Sequence, residues 1–318
     1  MLDHFKLLLD SIESECPIES VVEIGSNDGH FLRFCKERGA GAVMGIDPAE
    51  NLKPSGDAGI TSLCGLFDPQ TATIAKAAMP PVNVVVARHV FAHIDDWTGF
   101  VKSLDVLATQ DTLIVIECPY VVDLLNGVEL DTVYHEHLSY VSLKAVKELL
   151  TQSVFHLHKV QKFDIHGGAI AIMLRRNDNG RLVDPSVNDF LARESITLES
   201  WKNFADSACD RISNLKIEVN VHCADKKVIG YGASAKSTVW INACGFTRDD
   251  IAFIVDSTPQ KQGKFSPGTD IPIVPESELT NVTADMAICF AWNFMDEIIK
   301  KNKAWIDGGG TFINPHSL

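Results

Sequence analysis

The segment at residues 131–140, Asp-Thr-Val-Tyr-His-Glu-His-Leu-Ser-Tyr, brings together side chains that can transfer protons. A histidine titrates close to neutral pH, and a neighbouring carboxylate can orient it and stabilise its charged form, as a general base requires. A structural hydrogen-bonded cluster and a metal site are the alternative interpretations. The histidines lack the i, i+4 spacing of a helical zinc site, and no cysteine lies within ten residues, so we expect no metal here.

The elements around this segment indicate an α/β protein. Short apolar runs alternate with helical patterns, and strands are expected at 20–24, 42–46, 61–64, 82–87 and 112–117. Such alternation is typical of a parallel sheet that is covered on both faces. Two further runs, 154–163 and 169–175, predict an antiparallel hairpin. A mostly parallel sheet closed by such a hairpin resembles the S-adenosylmethionine methyltransferase fold.

A second alternating region follows a charged stretch. Residues from about 184 to 225 carry few strand signals and many charges at helical spacing, which predicts one or two long helices. Strands are expected again at 228–231, 251–255, 286–290 and 311–313. The chain is therefore predicted to form a methyltransferase domain over 1–180, a helical connector over 181–225 and a smaller Rossmann-like α/β domain over 226–318.

The first predicted strand ends in a turn suited to a ligand. Residues 21–29, Val-Val-Glu-Ile-Gly-Ser-Asn-Asp-Gly, place Asn27 where a glycine is usual, and asparagine tolerates left-handed backbone geometry. Acidic side chains in this turn suit a cationic sulfonium and disfavour a pyrophosphate. Asp47 follows the second strand, where a carboxylate can accept the hydroxyls of a ribose; an ordinary turn with an acidic cap is the alternative. The expected cofactor-binding residues are Glu23, Gly25, Ser26, Asn27, Asp28, Gly29, Asp47, Phe67, His89 and Val90.

A second glycine-rich turn lies at residues 228–237, Val-Ile-Gly-Tyr-Gly-Ala-Ser-Ala-Lys-Ser. It fits Gly-x-Gly-x-x-Ala, which is a weak dinucleotide signal on its own. Lysines in this turn and in residues 260–268 could hold an anion on an otherwise acidic protein, and a structural domain with solvated lysines is the alternative. The expected substrate-binding residues are His135, Tyr231, Gly232, Ala233, Ser234, Lys236, Asp256, Lys261 and Lys264.

Seven segments, taken together, resemble the sugar C-methyltransferases, which use S-adenosylmethionine to methylate a carbon of nucleotide-linked 4-keto deoxysugars. They occur in family order at residues 22–29, 90–96, 131–137, 166–168, 230–236, 259–264 and 291–294. The resemblance implies a Rossmann-like class I methyltransferase domain that binds S-adenosylmethionine and releases S-adenosylhomocysteine. It also implies that the second Rossmann-like domain binds the nucleotide sugar. Tyr134, Glu136 and His137 would line the active site, with His137 the base and His166 a further contributor.

The expected reaction begins at the acidic hydrogen beside a ketone. His137, oriented by Glu136, would remove this proton while the Tyr134 hydroxyl stabilises the enolate oxygen, and the carbon would then attack the sulfonium methyl. The alternatives are O- or N-methyl transfer to a sugar nucleotide, an NAD-dependent reductase that uses residues 230–256, and a non-catalytic S-adenosylmethionine sensor.

The sequence departs from the family pattern in two places. Members usually begin with a cysteine-rich, zinc-binding segment, which this sequence does not show, so we expect neither its structural metal nor a tyrosine from it. Arg88 and His89 stand where smaller or amide side chains are usual.

Composition limits the partners. The 318 residues suffice for two cores, and a net charge of −14 repels nucleic acid and anionic membranes. Eight singly placed cysteines, no signal-peptide pattern and no run of bilayer length predict a cytoplasmic protein. We expect a nucleotide-linked sugar or a similar small molecule as substrate, and a monomer or homodimer.

Overall fold

The computed structural model describes residues 2–50, 59–165, 167–178, 180–223, 227–281 and 284–318. The chain divides into two units, each made of two separate pieces. The first unit comprises Met1–Val122 and Glu136–Ser195, and the second comprises Asp123–His135 and Ile196–Leu318. The chain therefore enters the second unit briefly, returns to the first, and then completes the second.

In the part of the chain that the structure describes, the first unit contains a seven-stranded sheet and its covering helices. The strands are β1 (Ser20–Ile24), β2 (Ala42–Asp47), β3 (Ile60–Cys64), β4 (Val84–Arg88), β5 (Leu113–Pro119), β6 (Phe155–Phe163) and β7 (Ala169–Arg176). The helices are α1 (Leu2–Glu13), α2 (His30–Glu37), α3 (Pro69–Ala78), α4 (Trp97–Leu107), α5 (Val121–Gly127), α6 (Leu143–Leu150) and α7 (Pro185–Arg193). Helix α5 begins in the first unit and ends in the second.

The strand order in this sheet is β3-β2-β1-β4-β5-β7-β6. Strands β1 to β5 pair in parallel, whereas β7 is antiparallel to both β5 and β6. The predicted fold class, a mostly parallel sheet closed by an antiparallel hairpin, is thus confirmed.

Strands β1, β2, β4, β5 and β7 are buried because they are apolar at consecutive positions, whereas the edge strand β3 is largely exposed. Val21 belongs to the core that includes residues of α1 and α2, and Val22 belongs to the core that includes residues of α3, α4 and α6. Successive side chains of a strand point to opposite faces, so one strand can supply both cores. The carboxyl ends of the parallel strands consequently meet at one edge, where their following turns can form a ligand site.

The second unit contains a smaller sheet, five-stranded among the described residues, with the order β10-β9-β8-β11-β12 and every pairing parallel. The strands are β8 (Val228–Tyr231), β9 (Ile254–Asp256), β10 (Ile273–Pro275), β11 (Met286–Cys289) and β12 (Thr311–Ile313). The helices are α8 (Leu198–Cys223), α9 (Ala235–Cys244), α10 (Glu278–Asn281), α11 (Met295–Lys301) and α12 (Lys303–Asp307). This arrangement confirms the predicted second Rossmann-like domain.

The region predicted as a separate connector, 181–225, contributes a helix to each unit. Helix α7 belongs to the first unit, where Val187 joins the core. Helix α8 belongs to the second, where Leu215 and Val219 pack with α9. Among the described helices, none is both long enough and apolar enough to cross a membrane.

Candidate active site

The turn after β1 has a left-handed backbone at three positions. Gly25, Asn27 and Gly29 have φ angles of 69°, 50° and 76°. Glycine adopts this region without steric cost, and asparagine adopts it more readily than most residues, so these types allow the chain to reverse within a few residues. A β carbon on Gly25 would collide with the side chain of Val90. The turn therefore lies close against the segment that follows β4.

Asp47, the last residue of β2, is oriented by this turn. Its Oδ2 accepts a hydrogen bond from the Asn27 amide at 2.9 Å, and its Oδ1 accepts one from the Ala49 amide at 2.9 Å. A carboxylate can accept about four hydrogen bonds, so both oxygens keep a lone pair for the hydroxyls of a ligand.

A cavity of about 520 Å³ opens at this edge of the first unit, and we call it the first-unit cavity. Its volume lies in the range of small-molecule sites. Three of the predicted cofactor-binding residues, Gly25, Phe67 and Val90, line it. Ile46 and Phe100 add apolar wall. Predicted residues from the segments that follow β1, β3 and β4 thus meet around one cavity.

Acidic side chains also line the first-unit cavity, namely Asp68, Asp95 and Asp96. Asp68 accepts the Thr71 amide at 2.8 Å and so caps α3, and Asp96 accepts the Gly99 amide at 2.8 Å and so caps α4. These caps fix the negative charges at the cavity, and fixed negative charges favour a cationic ligand over an anionic one.

Two buried glutamates flank β4 on its neighbouring strands. Glu23 on β1 and Glu117 on β5 have no exposed surface. Arg88 donates to Glu23 Oε1 from Nε at 3.1 Å and from Nη2 at 3.0 Å. His4 Nε2 lies 2.7 Å from Glu117 Oε2, and His89 Nε2 lies 2.9 Å from Glu117 Oε1. At the two positions where the sequence departs from the family pattern, Arg88 is therefore a cationic partner of Glu23, and the His89 imidazole lies against Glu117.

Burial raises the pKa of Glu23 to about 7, although the Arg88 guanidinium opposes the change. Burial acts in the same direction on Glu117, but hydrogen bonds from His4 and His89 outweigh it and hold the pKa of that carboxyl well below its usual range. Glu23 and His89, both predicted to bind the cofactor, are thus engaged beneath the turn and are not among the described residues that line the cavity.

The 3₁₀-helical turn Phe91–His93 brings a third histidine to the 131–140 segment. His93 Nδ1 lies 2.7 Å from the carbonyl oxygen of Glu136, and the ring centroids of His93 and His137 are 4.9 Å apart. Because a carbonyl oxygen only accepts, His93 Nδ1 carries the hydrogen and Nε2 holds the lone pair of the neutral ring. His93 also lines the first-unit cavity. Sequence reasoning missed His93 as a site residue, although the matched segment 90–96 contains it.

The 131–140 segment is shared between the units. Glu136 and His137 belong to the first unit, and the Glu136 carboxylate is exposed. Tyr134 and His135 belong to the second unit, where both line a cavity of about 610 Å³ that we call the second-unit cavity. Predicted substrate-binding residues that also line it are Ala233, Ser234, Lys261 and Lys264.

Asp256, at the end of β9, is oriented by the turn after β8. Its Oδ2 accepts the Ala233 amide at 2.7 Å, and its Oδ1 accepts the Thr258 amide at 2.8 Å. Lys261 Nζ donates to the Ala233 carbonyl at 2.7 Å and lies 3.5 Å from Asp256 Oδ2. Gly232 has a φ of 92°, which this tight turn requires. Asp256 and Gly232 therefore shape the cavity wall through the turn.

Two predicted substrate-binding residues point elsewhere in the second unit. Tyr231 is buried, and its hydroxyl donates to Glu276 Oε1 at 2.6 Å. Lys236 Nζ lies 3.1 Å from Asp131 Oδ1, so its charge is balanced within the unit. Neither is among the described residues that line the second-unit cavity.

The remaining predicted residues have local roles or lie outside the described chain. Ser26 is buried, and its carbonyl accepts the Gly29 amide at 2.9 Å. Asp28 is exposed and accepts the His30 amide at 3.1 Å. His166 lies outside the described residues. Both units thus combine a glycine turn, an oriented aspartate and a cavity, and the first unit adds paired imidazoles that can accept a proton.

Comparison with known proteins identifies the family. Residues 6–160 match the family model of a methyltransferase domain, and residues 164–316 match that of the C-methyltransferase C-terminal domain. The chain is similar to C-methyltransferase NovU of Streptomyces niveus, with 32% identity over 324 residues that cover 99% of this chain and 77% of that protein. Solved structures of SAM-dependent methyltransferases from Archaeoglobus fulgidus and Anabaena variabilis are similar at 18% and 14% identity, with TM-scores of 0.43 and 0.44. Each covers 54% of this chain, and the matches span 92% and 84% of those two chains. The chain therefore belongs to the S-adenosylmethionine-dependent C-methyltransferase family.

Proposed function

We propose that the protein methylates a carbon of a nucleotide-linked keto-deoxysugar, with S-adenosylmethionine in the first-unit cavity and the nucleotide in the second-unit cavity. The observation that carries the proposal is the contact of His137 with His93, a residue of the first-unit cavity wall. The acidic lining and the available lone pairs of Asp47 support a cationic donor that carries a ribose. Lys261 and Lys264 support an anionic ligand in the second-unit cavity.

The residues of the first unit suit proton abstraction. His137 accepts the proton from the carbon beside the ketone, and the electron pair left on that carbon forms the new carbon–carbon bond. The donor, when it is bound, supplies the electrophilic methyl group. His93 is fixed by its hydrogen bond to the Glu136 carbonyl and orients the neighbouring His137 ring. The role of Glu136 as the carboxylate that orients His137 and that of Tyr134 as the donor to the enolate oxygen stay predictions from the sequence.

Replacement of His137 by asparagine tests the base. We expect His137→Asn to lower kcat by about 10²- to 10⁴-fold, the usual contribution of a general base, with unchanged calorimetric affinity for S-adenosylhomocysteine. A second assay isolates the proton step: in D₂O with S-adenosylhomocysteine in place of the donor, the parent should exchange the hydrogen beside the ketone, and the variant should not.

The matched control is His156→Asn, which places the same substitution on β6 of the first unit. It should retain both turnover and exchange. If His137→Asn keeps the activity of the parent, or exchanges the hydrogen at the rate of the parent, His137 is not the base.

The site of methylation separates carbon transfer from the alternative of O- or N-methyl transfer. The same imidazole could deprotonate a hydroxyl or an amine, but those acceptors need no exchangeable hydrogen on carbon. We expect NMR of the product to place the methyl group on carbon. A methyl group on oxygen or nitrogen would favour the alternative.

A further inference from the structure

Asp131 is the centre of a buried network in the second unit. Its side chain has no exposed surface. Oδ1 lies 3.1 Å from Lys236 Nζ. Oδ2 accepts hydrogen bonds from Trp240 Nε1 at 3.1 Å and from Trp292 Nε1 at 2.7 Å. His316 Nε2 lies 3.0 Å from the same oxygen. These partners stand between 105 and 185 positions away in the sequence, so the network ties one short segment to most of the unit.

His316 lies between Arg211 and Asp131. Its Nδ1 is 3.1 Å from Arg211 Nη1, and its Nε2 faces Asp131 Oδ2. Because a carboxylate only accepts, His316 Nε2 carries the hydrogen that it donates to Asp131. Burial by itself raises the pKa of Asp131, but the His316 hydrogen bond and the Lys236 charge outweigh it and lower the pKa to about 2. Asp131 is therefore a carboxylate surrounded by donors from several directions.

The backbone beside Asp131 is strained. Val128 has a φ of 50°, a left-handed conformation that a β-branched residue rarely adopts. Arg211 Nη1 donates to the carbonyl oxygens of Gly127 at 2.6 Å and Val128 at 3.1 Å. The side chains of Val128 and Leu130 are buried in the second-unit core. Strain of this kind persists only where the surroundings impose it, so the segment is held on both sides of Asp131.

We propose that Asp131 is a positioning residue, which fixes the strained segment 127–135 so that Tyr134 and His135 remain on the wall of the second-unit cavity. This proposal rests on the proposed function, because it takes the second-unit cavity to be the site that holds the nucleotide of the substrate. A buried ion pair is weak evidence for stability, since an apolar side chain of similar volume often serves a core as well. A carboxylate that is bound by four side chains instead specifies one orientation of the segment. Tyr134 is only three positions after Asp131, so its placement depends on that orientation.

Asp131→Asn removes the charge and places an amide opposite donors. We expect the KM for the keto-sugar nucleotide to rise about tenfold or more, while the affinity for S-adenosylhomocysteine stays within about twofold, because the first-unit cavity contains no residue of this network. Amide hydrogen exchange, measured without substrate, should accelerate within 127–135 and remain at the parent rate in β8, β9 and β11. Trp292→Phe, which removes one donor but keeps a ring, should give a smaller change in the same two readouts.

Glu276→Gln is the matched control, because it makes the same acid-to-amide change in the same unit and removes the ion pair with Lys301 outside the cavity lining. It should leave KM and the exchange of 127–135 unchanged. Parent-like KM and parent-like exchange in Asp131→Asn would overturn the proposal, as would exchange raised equally across the whole second unit. Uridine and thymidine diphosphates serve as binding probes: if the parent binds neither, the nucleotide part of the proposed function fails, whereas the exchange readout still tests Asp131.

Discussion

At the scale of single residues, the same arrangement of an aspartate at a strand end occurs in both units. Asp47 and Asp256 each end the second strand of their unit, and each accepts the amide of the preceding glycine turn and the amide two positions further on. The two turns differ in sequence, yet the parallel register of neighbouring strands brings the acid to the same place. In the first unit this leaves Asp47 oriented at the cavity edge, where a ribose would need it.

Replacement of Asp47 by alanine should weaken the binding of S-adenosylhomocysteine by roughly 10- to 100-fold, as expected when hydrogen bonds to a charged group are lost. Isothermal titration calorimetry measures the affinity. Asp256→Ala is the matched control, since it removes the same turn contacts from the second unit, and it should leave this affinity unchanged. Equal losses in both variants would mean that the effect comes from the fold and not from a ribose contact.

At the scale of elements, β4 lies between two strands that carry buried acids, and the end of β4 supplies a partner to each acid. Arg88 pairs with Glu23 on β1, and His89 lies against Glu117 on β5. The Arg88 guanidinium also lies over the rings of Phe5 and Phe31, at 4.3 and 4.5 Å from their centroids. Those rings belong to α1 and α2, so both helices help to shield the ion pair of Arg88 with Glu23 from water. The carboxyl edge of this sheet therefore rests on a charged layer and not on an apolar one.

This charged layer predicts a pH dependence of stability. The folded-state pKa of Glu23 is raised from 4.5 to about 7, so the folded chain binds this proton more tightly than the unfolded chain, and stability falls as pH rises through that window. The loss amounts to about 3 kcal/mol, from roughly 1.4 kcal/mol per pKa unit. Glu117 acts in the opposite sense, since its lowered pKa stabilises the fold above pH 4.5 and this contribution is lost as pH falls below it.

Glu23→Gln should abolish the decline in the free energy of unfolding between pH 4.5 and 7. The loss of stability below pH 4.5, which comes from Glu117, should remain. The free energy of unfolding in urea, measured across that range for parent and variant, tests this expectation. Glu148→Gln, at an exposed position of α6, should follow the parent. A variant curve parallel to that of the parent between pH 4.5 and 7 would show that Glu23 is already ionised there.

Most elements could be predicted from local patterns, but the directions of several side chains could not. The bounds of α3 were predictable because Asp68 and Pro69 form a start signal, which the structure shows as a capping box. Strand β10 was missed because Pro272 precedes it and Pro275 ends it, and prolines at such spacing argue against a strand. Lys236 follows a glycine turn and suggested a phosphate ligand, whereas its ion pair with Asp131 depends on a segment 105 residues away. Such long-range contacts leave no trace in a local motif.

At the scale of the whole molecule, the units are interleaved along the chain. Sequence reasoning assigned residues 1–180 to one domain, yet Asp123–His135 belongs to the second unit, and Val128 and Leu130 lie in its core. The 131–140 segment consequently carries Asp131, Tyr134 and His135 in one unit and His137 in the other. A single continuous motif thus supplies Tyr134 and His135 to the wall of the second-unit cavity and His137 to a contact with His93 of the first-unit cavity wall, which explains why neither unit alone contains the full set of candidate residues.

Interleaving predicts the behaviour of a fragment that ends at residue 195. It contains the whole first unit, and the described lining of the first-unit cavity lies between residues 24 and 103, so we expect it to bind S-adenosylhomocysteine with an affinity close to that of the full chain. In the fragment, residues 123–135 would lack their core partners, and the Asp131 carboxylate would lose its hydrogen-bond donors. Burial of an unpaired carboxylate is strongly unfavourable in free energy, so we expect this segment to be exposed. Limited proteolysis should cut the fragment within 123–135, and hydrogen exchange there should be fast, whereas the full chain resists both. Slow exchange of 123–135 in the fragment would show that the first unit alone can fold this segment.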